Sequence, residues 1–243
     1  MKVEIWAEVT CPWCGLGSHR LAKAVEQFEH RDEVELIHRS FPLSDDLPGE
    51  GVMSVRQALK RVHGVADDRL EVGPRRIEAL AAKEGLVPYH VLENVVGNTW
   101  RAHEFLAHAS AQGKNRAAWD RVFRAYYGEQ RSVFTVDALV DLAPGLGLDP
   151  VETRRVLNDG RFGQQVQDEA HQARRLGATG APFLVIDGRY AVPGAQGTDR
   201  LLRALRQAWD EAHPPIVPIP VADAEGVCGP DGCAVPAAHP ART

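Results

Sequence analysis

The sequence predicts an α/β fold in which a long helical insertion separates two short α/β segments. Three observations predict it: a strand–helix–strand pattern opens the chain, helical periodicity then fills residues 54–176, and a strand–strand–helix pattern follows. Half-sheets that are separated in sequence can close into one sheet, so we expect a single interrupted α/β domain. The predicted segments are 1–45 for the first half of that domain, 46–176 for the helical insertion, 177–212 for the second half and 213–243 for a Pro/Gly-rich tail.

The first α/β segment is predicted from two strand patterns around one helical pattern. Residues Lys2–Val9 alternate between apolar and polar side chains, which is typical of a strand. Leu21, Val25 and Phe28 then recur at helical spacing and indicate an amphipathic helix. Val34–Phe41 is the second predicted strand, and a loop follows it.

The insertion is predicted to be wholly helical, because its apolar residues form stripes at helical spacing that Gly and Pro interrupt. Asp149 followed by Pro150 is typical of a helix start, where an acidic cap precedes a proline in the first turn. The apolar stripes include Met53, Leu59, Ile77, Leu80, Leu86, Val91, Leu92, Val95 and Val96. The aromatic residues expected in the core of the insertion, or on an apolar face that receives unfolded client chains, are Trp100, Phe105, Trp119, Phe123, Tyr126 and Tyr127.

The second α/β segment begins with the apolar run Pro182–Ile186, which predicts a short strand. Asp187-Gly188 is a hairpin turn signal, and Tyr190–Val192 is the returning strand. A last amphipathic helix follows, with apolar residues Leu201, Leu202, Leu205, Ala208 and Trp209. The proline-rich residues 214–220 are predicted to run extended.

Composition excludes several classes of protein. The 243 residues are 44 % hydrophobic and 25 % charged, which is typical of a globular chain and excludes wholesale disorder. The net charge of −5 argues against binding nucleic acid, because that needs a dense basic face. No apolar run reaches the roughly 18–20 residues that span a membrane. Met1-Lys2 leads directly into a charged strand rather than a signal peptide, so we expect a cytoplasmic protein.

Cys11-Pro12-Trp13-Cys14 lies where the first predicted strand gives way to the first helix. The first N–H groups of a helix have no intrahelical partners and carry partial positive charge, which stabilises a thiolate. The spacing places the two sulfurs close enough to bond to each other. We therefore predict that Cys11 is the exposed nucleophile and that Cys14, which is more buried, resolves a mixed disulfide.

Two other interpretations of this cysteine pair stay open. The two cysteines are structural, or they are half of a zinc site whose other ligands are Cys228 and Cys233. Redox chemistry is favoured over both, because the pair stands beside Pro and Trp at a strand-to-helix junction. The ten histidines form no helical pair with a nearby acid, and we interpret them as surface or core residues, with His103 the first candidate for an exception.

Gly180-Ala181-Pro182-Phe183 opens the later predicted strand. A cis Ala181–Pro182 bond would turn the backbone sharply and present polar groups to an extended peptide across from Cys11. An ordinary trans proline before a strand is the alternative, and it is the commoner case, since only about 5–6 % of X–Pro bonds are cis.

With these motifs the sequence resembles the DsbA-type branch of the thioredoxin superfamily, and within it the FrnE-like proteins. The resemblance covers residues 3–210 and includes Asn98–His103, Leu146–Asp149 and Val192–Gln196. It implies a thioredoxin fold split by a helical domain, dithiol–disulfide exchange at Cys11 and Cys14, and a cis Pro182.

Two departures from relatives bear on the mechanism. DsbA itself has a charged histidine between its cysteines, whereas this chain has the uncharged Trp13, so we predict a less acidic Cys11 and a less oxidising couple. The related kappa-class glutathione transferases and hydroxychromene-carboxylate isomerases lack the paired thiols and use glutathione. Both thiols are present here, which favours protein dithiol chemistry.

A second pair, Cys228 and Cys233, encloses Pro230 and Gly232, which favour a turn that brings the two cysteines together. An extended tail reaches far enough for this pair to visit Cys11 of its own chain or of a partner. We interpret it as an accessory redox pair, and an incidental disulfide in the tail is the equal alternative.

These features predict a thiol:disulfide oxidoreductase that acts on protein disulfides as an oxidase, reductase or isomerase. Ala181 and Pro182 are expected to position the client backbone. We expect no metal and no cofactor beyond the redox-active disulfide, with glutathione, another small thiol or a thioredoxin-type protein as electron partner. Client proteins are the expected partners, rather than nucleic acid or membrane. The alternatives are a glutathione-dependent isomerase or transferase of kappa-class type and a metal-binding thiolate module.

Overall fold

The computed structural model describes residues 1–43 and 51–217. The strands of this part of the chain are β1 (Lys2–Ala7), β2 (Glu35–Ser40), β3 (Val52–Ser54), β4 (Val95–Gly97), β5 (Phe183–Ile186) and β6 (Tyr190–Pro193). The helices are α1 (Pro12–Glu26), α2 (Val55–Arg61), α3 (Val72–Lys83), α4 (Trp100–Ala111), α5 (Asn115–Phe123), α6 (Val136–Val140), α7 (Pro150–Asn158), α8 (Gly163–Arg175) and α9 (Thr198–Ala212). A π-helical turn, Arg124–Gly128, continues α5.

The two α/β segments close into one four-stranded sheet of order β2-β1-β5-β6. Strand β1 is parallel to β2 and antiparallel to β5, so that Ile5 lies opposite both His38 and Leu184. Strand β6 pairs antiparallel with β5. The prediction of one interrupted α/β domain is therefore confirmed.

Alternation along β1 divides the core into two layers, because successive side chains of a strand point to opposite faces. Val3 and Ile5 pack against apolar residues of α1 and α9 on one face of the sheet. On the other face Trp6 packs with Phe183 against α8, and its indole N–H donates to the carbonyl oxygen of Glu169 at 3.0 Å. The sheet thus has helices on both faces.

The insertion is not wholly helical, which corrects the prediction. Met53, Val95 and Val96 lie in a two-stranded antiparallel ribbon of β3 and β4 rather than on helices. Leu86, Val91 and Leu92, also predicted on helices, lie in the segment between α3 and β4. A Cβ at Gly97 would lie 3.0 Å from the carbonyl oxygen of Gly51, so the close approach of the backbone there favours glycine. Apolar runs this short do not distinguish a strand from a helix by periodicity.

Most of the predicted aromatic residues form the core of the insertion, but Trp100 is only half-buried and lies outside the core cluster, which corrects the prediction for that residue. Phe105, Trp119, Tyr126 and Tyr127 are each at most 3 % exposed, and they pack with residues of β1 and α1 as well as with one another. Cys14 belongs to the same cluster. The insertion therefore supplies part of the surroundings of the cysteine pair.

Two local predictions are confirmed as well. Asp187 and Gly188 both have positive φ angles, +48° and +65°, which is the conformation of the tightest hairpin turns. The carboxylate of Asp149 accepts hydrogen bonds from the N–H groups of Val151 and Glu152 and so caps α7. Within the described residues, no helix combines the length and the hydropathy needed to cross a membrane.

Candidate active site

Cys11 is the N-cap residue of α1, and Pro12 fills the first helical position. The backbone N–H of Cys14 donates to the carbonyl oxygen of Cys11 at 2.8 Å, which closes the first turn. Both cysteines are free thiols, and as predicted Cys11 is partly exposed whereas Cys14 is fully buried. One thiol therefore faces the surface while the other lies within the core.

The two thiols differ in acidity as well as in burial. A hydrogen bond from the Cys14 thiol lowers the pKa of Cys11 against the effect of burial, and the backbone N–H groups of Cys14 and Trp13 lower it further. Burial and the neighbouring Cys11 sulfur raise the pKa of Cys14 well above its ordinary value. Of the two thiols, Cys11 therefore ionises at the lower pH.

The Ala181–Pro182 peptide bond is cis, as the family resemblance implies. The thiol of Cys11 lies 3.6 Å from the carbonyl oxygen of Ala181, in contact across the sheet. A Cβ at Gly17 of α1 would lie 3.2 Å from Cγ of Pro182, so α1 packs tightly against the proline. The structure therefore brings together the cysteine pair and the Ala181-Pro182 turn.

The insertion holds the active-site turn through Tyr89. Its hydroxyl donates to the carbonyl oxygen of Pro12 at 2.6 Å, and its ring stacks on Tyr127 with centroids 4.4 Å apart. A Cβ at Gly15 would lie only 2.4 Å from the Tyr89 oxygen, so this contact requires glycine immediately after Cys14. No sequence motif marks Tyr89, which is distant from the cysteines along the chain.

Beneath the cysteines lies a buried carboxylate, Glu8, which is 2 % exposed. It accepts hydrogen bonds from the backbone N–H groups of Leu43 (2.7 Å) and Thr10 (3.0 Å) and from the hydroxyl of Thr99 (3.0 Å). Burial raises the pKa of Glu8, but His103 and the backbone N–H groups outweigh it and keep the pKa below the ordinary value. Glu8 is therefore an anion in the core.

Glu8 is also close to both thiols. Its backbone N–H lies 3.4 Å from Sγ of Cys14, and its negative charge raises the pKa of both cysteines. Sequence reasoning missed Glu8, although a charged residue between the apolar Ala7 and Val9 just before the cysteine motif is a usable signal.

His103 is fully buried, and Nε2 of its ring lies 3.6 Å from Oε2 of Glu8. That distance is longer than a hydrogen bond, and neither ring nitrogen has a hydrogen-bond partner within the described residues. A search for histidine pairs at helical spacing does not reveal this contact, because Glu8 is distant from His103 along the chain. The fold supplies that acid from the end of β1.

Other histidines have structural partners. His38 lies next to Ser18, whose oxygen is 3.1 Å from Nε2, and its ring stacks on Trp119. Burial lowers the pKa of His38 to about 3, so it is neutral. His19 contacts the carbonyl oxygen of Glu84 at 3.1 Å. These contacts agree with the interpretation of most histidines as core or surface residues.

Over residues 1–43 and 51–217, no three His, Cys, Asp or Glu side chains gather in a way that would hold a metal ion. Cys228 and Cys233 lie outside the described residues, so the accessory redox pair and the four-cysteine zinc site stay predictions.

The profile of the DSBA-like thioredoxin domain family matches residues 2–206, and the chain belongs to this family of thiol oxidoreductases. A probable DsbA oxidoreductase from Streptomyces coelicolor, SCO1869, is 40 % identical, with a TM-score of 0.82 and coverage of 97 % of this chain and 99 % of that one.

More distant similarities exist as well. The uncharacterized protein YwbO of Bacillus subtilis is 24 % identical over 84 % of this chain and 96 % of its own length. A solved 2-hydroxychromene-2-carboxylate isomerase shares the fold, with a TM-score of 0.66, 15 % identity and coverage of 87 % and 98 %.

Proposed function

We propose that this protein catalyses thiol–disulfide exchange on protein disulfides through Cys11 and Cys14. One observation carries the proposal: a partly exposed thiol of lowered pKa stands at a helix N-cap, with a buried thiol one turn behind it. Only the thiolate attacks a disulfide, so this arrangement makes Cys11 the attacking thiol. Cys14 stays protonated until it attacks the mixed disulfide. The 40 % identical relative whose name describes a probable DsbA oxidoreductase supports the same chemistry.

In the reducing direction, the Cys11 thiolate attacks one sulfur of the client disulfide. A bond forms between Cys11 and that sulfur, and the other client sulfur leaves as a thiolate that takes a proton from water. Cys14 then loses its proton and attacks Sγ of Cys11, which releases the second client thiol. The client gains two electrons, and Cys11 and Cys14 become a disulfide. Oxidation of a client is the same sequence in reverse.

Ala181 and Pro182 position the client in this proposal. The carbonyl oxygen of Ala181 lies 3.6 Å from the Cys11 thiol, so a peptide running beside this turn places its own sulfur against Cys11. A small thiol such as glutathione, or a thioredoxin-type protein, then restores the starting redox state of the pair.

Glu8 favours the reducing direction of this chemistry. A negative charge beside two thiols destabilises their thiolates and so favours the disulfide over the reduced pair. The uncharged Trp13 adds no positive charge to oppose it. Both features support a couple that is less oxidising than that of DsbA.

Trapping tests the proposal. A Cys14→Ser variant expressed in cells retains the attacking thiol but lacks the resolving one, so we expect mixed disulfides between Cys11 and client proteins, identified by mass spectrometry. A Cys11→Ser variant is the matched control and should trap none. An empty trap under oxidative stress contradicts the proposal. Tight glutathione binding without reduction of insulin would instead favour a glutathione-dependent isomerase or transferase.

A further inference from the structure

One buried arginine joins three segments of the chain. Arg20 lies on α1, the same helix as Cys14, and is 8 % exposed. Its Nε donates to Oε1 of Glu84 at 3.0 Å, and its Nη1 donates to the carbonyl oxygen of Ala195 at 3.2 Å. Glu84 is the C-cap residue of α3 in the insertion, whereas Ala195 belongs to residues 194–197 between β6 and α9, which we call the Ala195 loop. Arg20 therefore links the helical insertion to this loop.

The Ala195 loop in turn holds the Ala181-Pro182 turn. The backbone N–H of Gly194 donates to the carbonyl oxygen of Pro182 at 2.9 Å. A Cβ at Gly17 of α1 would lie 3.2 Å from Cγ of Pro182 and 3.4 Å from Cβ of Ala195, so the turn and the loop pack side by side on α1. Close-packed groups of this kind transmit a shift from one to the next. A displacement of the loop is therefore passed on to the turn.

A cation as buried as Arg20 needs an opposite charge, because an unpaired charge in the interior is costly. Glu84 supplies it and is itself held by α1: Nζ of Lys23 donates to the Glu84 carbonyl oxygen at 2.8 Å, and Nε2 of His19 lies 3.1 Å from the same oxygen. The guanidinium group is planar and presents its donors in a rigid fork. The bond to Glu84 therefore also fixes the direction of the N–H group that Ala195 accepts.

We propose that Arg20 is a positioning residue, which holds the Ala181-Pro182 turn in place for an extended polypeptide client. The inference rests on the proposed function, in which that turn lays the client beside Cys11. Within the described residues, the hydrogen bonds of Arg20 go to Glu84 and Ala195 rather than to either thiol, so Arg20 acts on the client and not on thiol reactivity. A disulfide that is too short to lie along the turn should therefore react independently of Arg20.

Two disulfides of different length test the inference, with glutathione as the reductant. One is a dimer of an extended peptide linked by a single disulfide, and the other is hydroxyethyl disulfide. Arg20→Met keeps a long side chain but removes both hydrogen bonds, so we expect kcat/KM for the peptide dimer to fall about 10-fold, mainly through KM. Turnover of hydroxyethyl disulfide and the alkylation rate of Cys11 should stay near the wild-type values.

Two conservative variants separate positioning from folding. Arg20→Lys keeps the charge but offers one nitrogen in place of the fork, so it should recover part of the peptide turnover that Arg20→Met loses. Glu84→Gln removes the charge that orients Arg20 and should lower peptide turnover by less than Arg20→Met. In the Arg20→Met background it should add nothing, because the group that it orients is gone. Arg121→Met is the matched control, since Arg121 bonds to Glu129 rather than to the Ala195 loop, and it should keep both turnover rates.

Hydrogen exchange measures the hold on the turn without turnover. The Gly194 N–H, which bonds to Pro182, should exchange several-fold faster in Arg20→Met, because its protection depends on the position of the loop. The Asp187 N–H donates to the carbonyl oxygen of Lys2 at 2.8 Å and is the reference amide. A general loss of stability would raise both exchange rates, whereas release of the loop raises only that of Gly194.

The outcomes separate the inference from the proposed function. A folded Arg20→Met variant that turns over the peptide dimer at the wild-type rate overturns the inference, and so does one that loses both substrates equally. If Arg20→Met does not fold, Arg20→Lys and Glu84→Gln decide by the same comparison. These results leave the function standing as long as Cys14→Ser traps clients. Turnover of neither disulfide by the wild-type protein, with no mixed disulfide in Cys14→Ser, overturns the proposed function itself.

Discussion

The two cysteines stand one helical turn apart and yet occupy opposite surroundings. Cys11 faces a cavity and the Ala181-Pro182 turn, whereas Cys14 is buried in the core shared with the insertion and has the backbone N–H of Glu8 against its sulfur. The comparison teaches that the thioredoxin-type segment supplies both sulfurs and the charged and N–H groups that separate their pKa values, whereas the insertion helps to bury Cys14. The insertion also supplies Tyr89, which donates to the carbonyl oxygen of Pro12, and Thr99 and His103, which contact Glu8.

The largest expected effect comes from testing this inequality directly. In the reduced protein at pH 7, iodoacetamide should alkylate Cys11 on the order of 100-fold faster than Cys14, because the lower pKa and the exposure act together. The Cys11 rate should rise with pH around a midpoint below the ordinary thiol value of about 8.5, since its thiolate is the favoured form. Peptide mapping after timed alkylation measures both rates. Equal alkylation rates at Cys11 and Cys14 would contradict the predicted difference between the two thiols.

Glu8 provides the next test, on the buried side. Glu8→Gln removes a negative charge near both thiols, so their pKa values should fall and the couple should become more oxidising, by on the order of 30 mV or about 1.4 kcal/mol. Equilibration of the disulfide with a glutathione buffer measures the potential, and the pH profile of alkylation measures the thiol pKa.

His103 sharpens that result. His103→Gln removes a group that keeps Glu8 ionised, so it should shift the potential in the same direction but by less. In the Glu8→Gln background it should produce no further shift, because the charge through which it acts is gone. A full additional shift in the double variant would mean that His103 acts on the thiols by another route, and a less oxidising potential would contradict the argument for Glu8.

Glycine at position 15 tests how the insertion holds the turn. Gly15→Ala would place a Cβ 2.4 Å from the Tyr89 hydroxyl oxygen, so we expect a loss of about 1–3 kcal/mol in the free energy of unfolding. Adding Tyr89→Phe removes the clashing oxygen and should recover part of the loss. Gly145→Ala, where nothing lies within 4 Å of the added Cβ, is the matched control. Urea unfolding measures the free energy of unfolding of each variant. If Tyr89→Phe recovers none of the lost stability, the added Cβ does not destabilise the protein through the Tyr89 hydroxyl.

The sequence predicts the exposed side of this comparison better than the buried side. Several features on that side are local, because consecutive residues are enough to predict them. They are the Cys11-to-Cys14 motif, the strand patterns of β1 and β5, and the Ala181-Pro182 turn. Glu8, Tyr89 and His103 act through contacts between distant segments, which no periodicity reveals. The β3–β4 ribbon was missed for a related reason: short valine-rich runs become strands here through the partner with which they pair.

The smallest expected effect concerns the tail pair, which we propose exchanges electrons with the active-site dithiol. Because Cys14 is sealed in the core, a second dithiol reaches the pair only through Cys11. Replacing both tail cysteines, Cys228→Ser with Cys233→Ser, should therefore slow turnover of peptide disulfides several-fold, while the alkylation rates of Cys11 and Cys14 stay at wild-type values. Mixing purified variants tests transfer between chains: Cys11→Ser, which retains the tail pair, should restore turnover to the tail variant if the exchange is intermolecular. Unchanged turnover in the tail variant would contradict this electron exchange and favour an incidental disulfide between the tail cysteines.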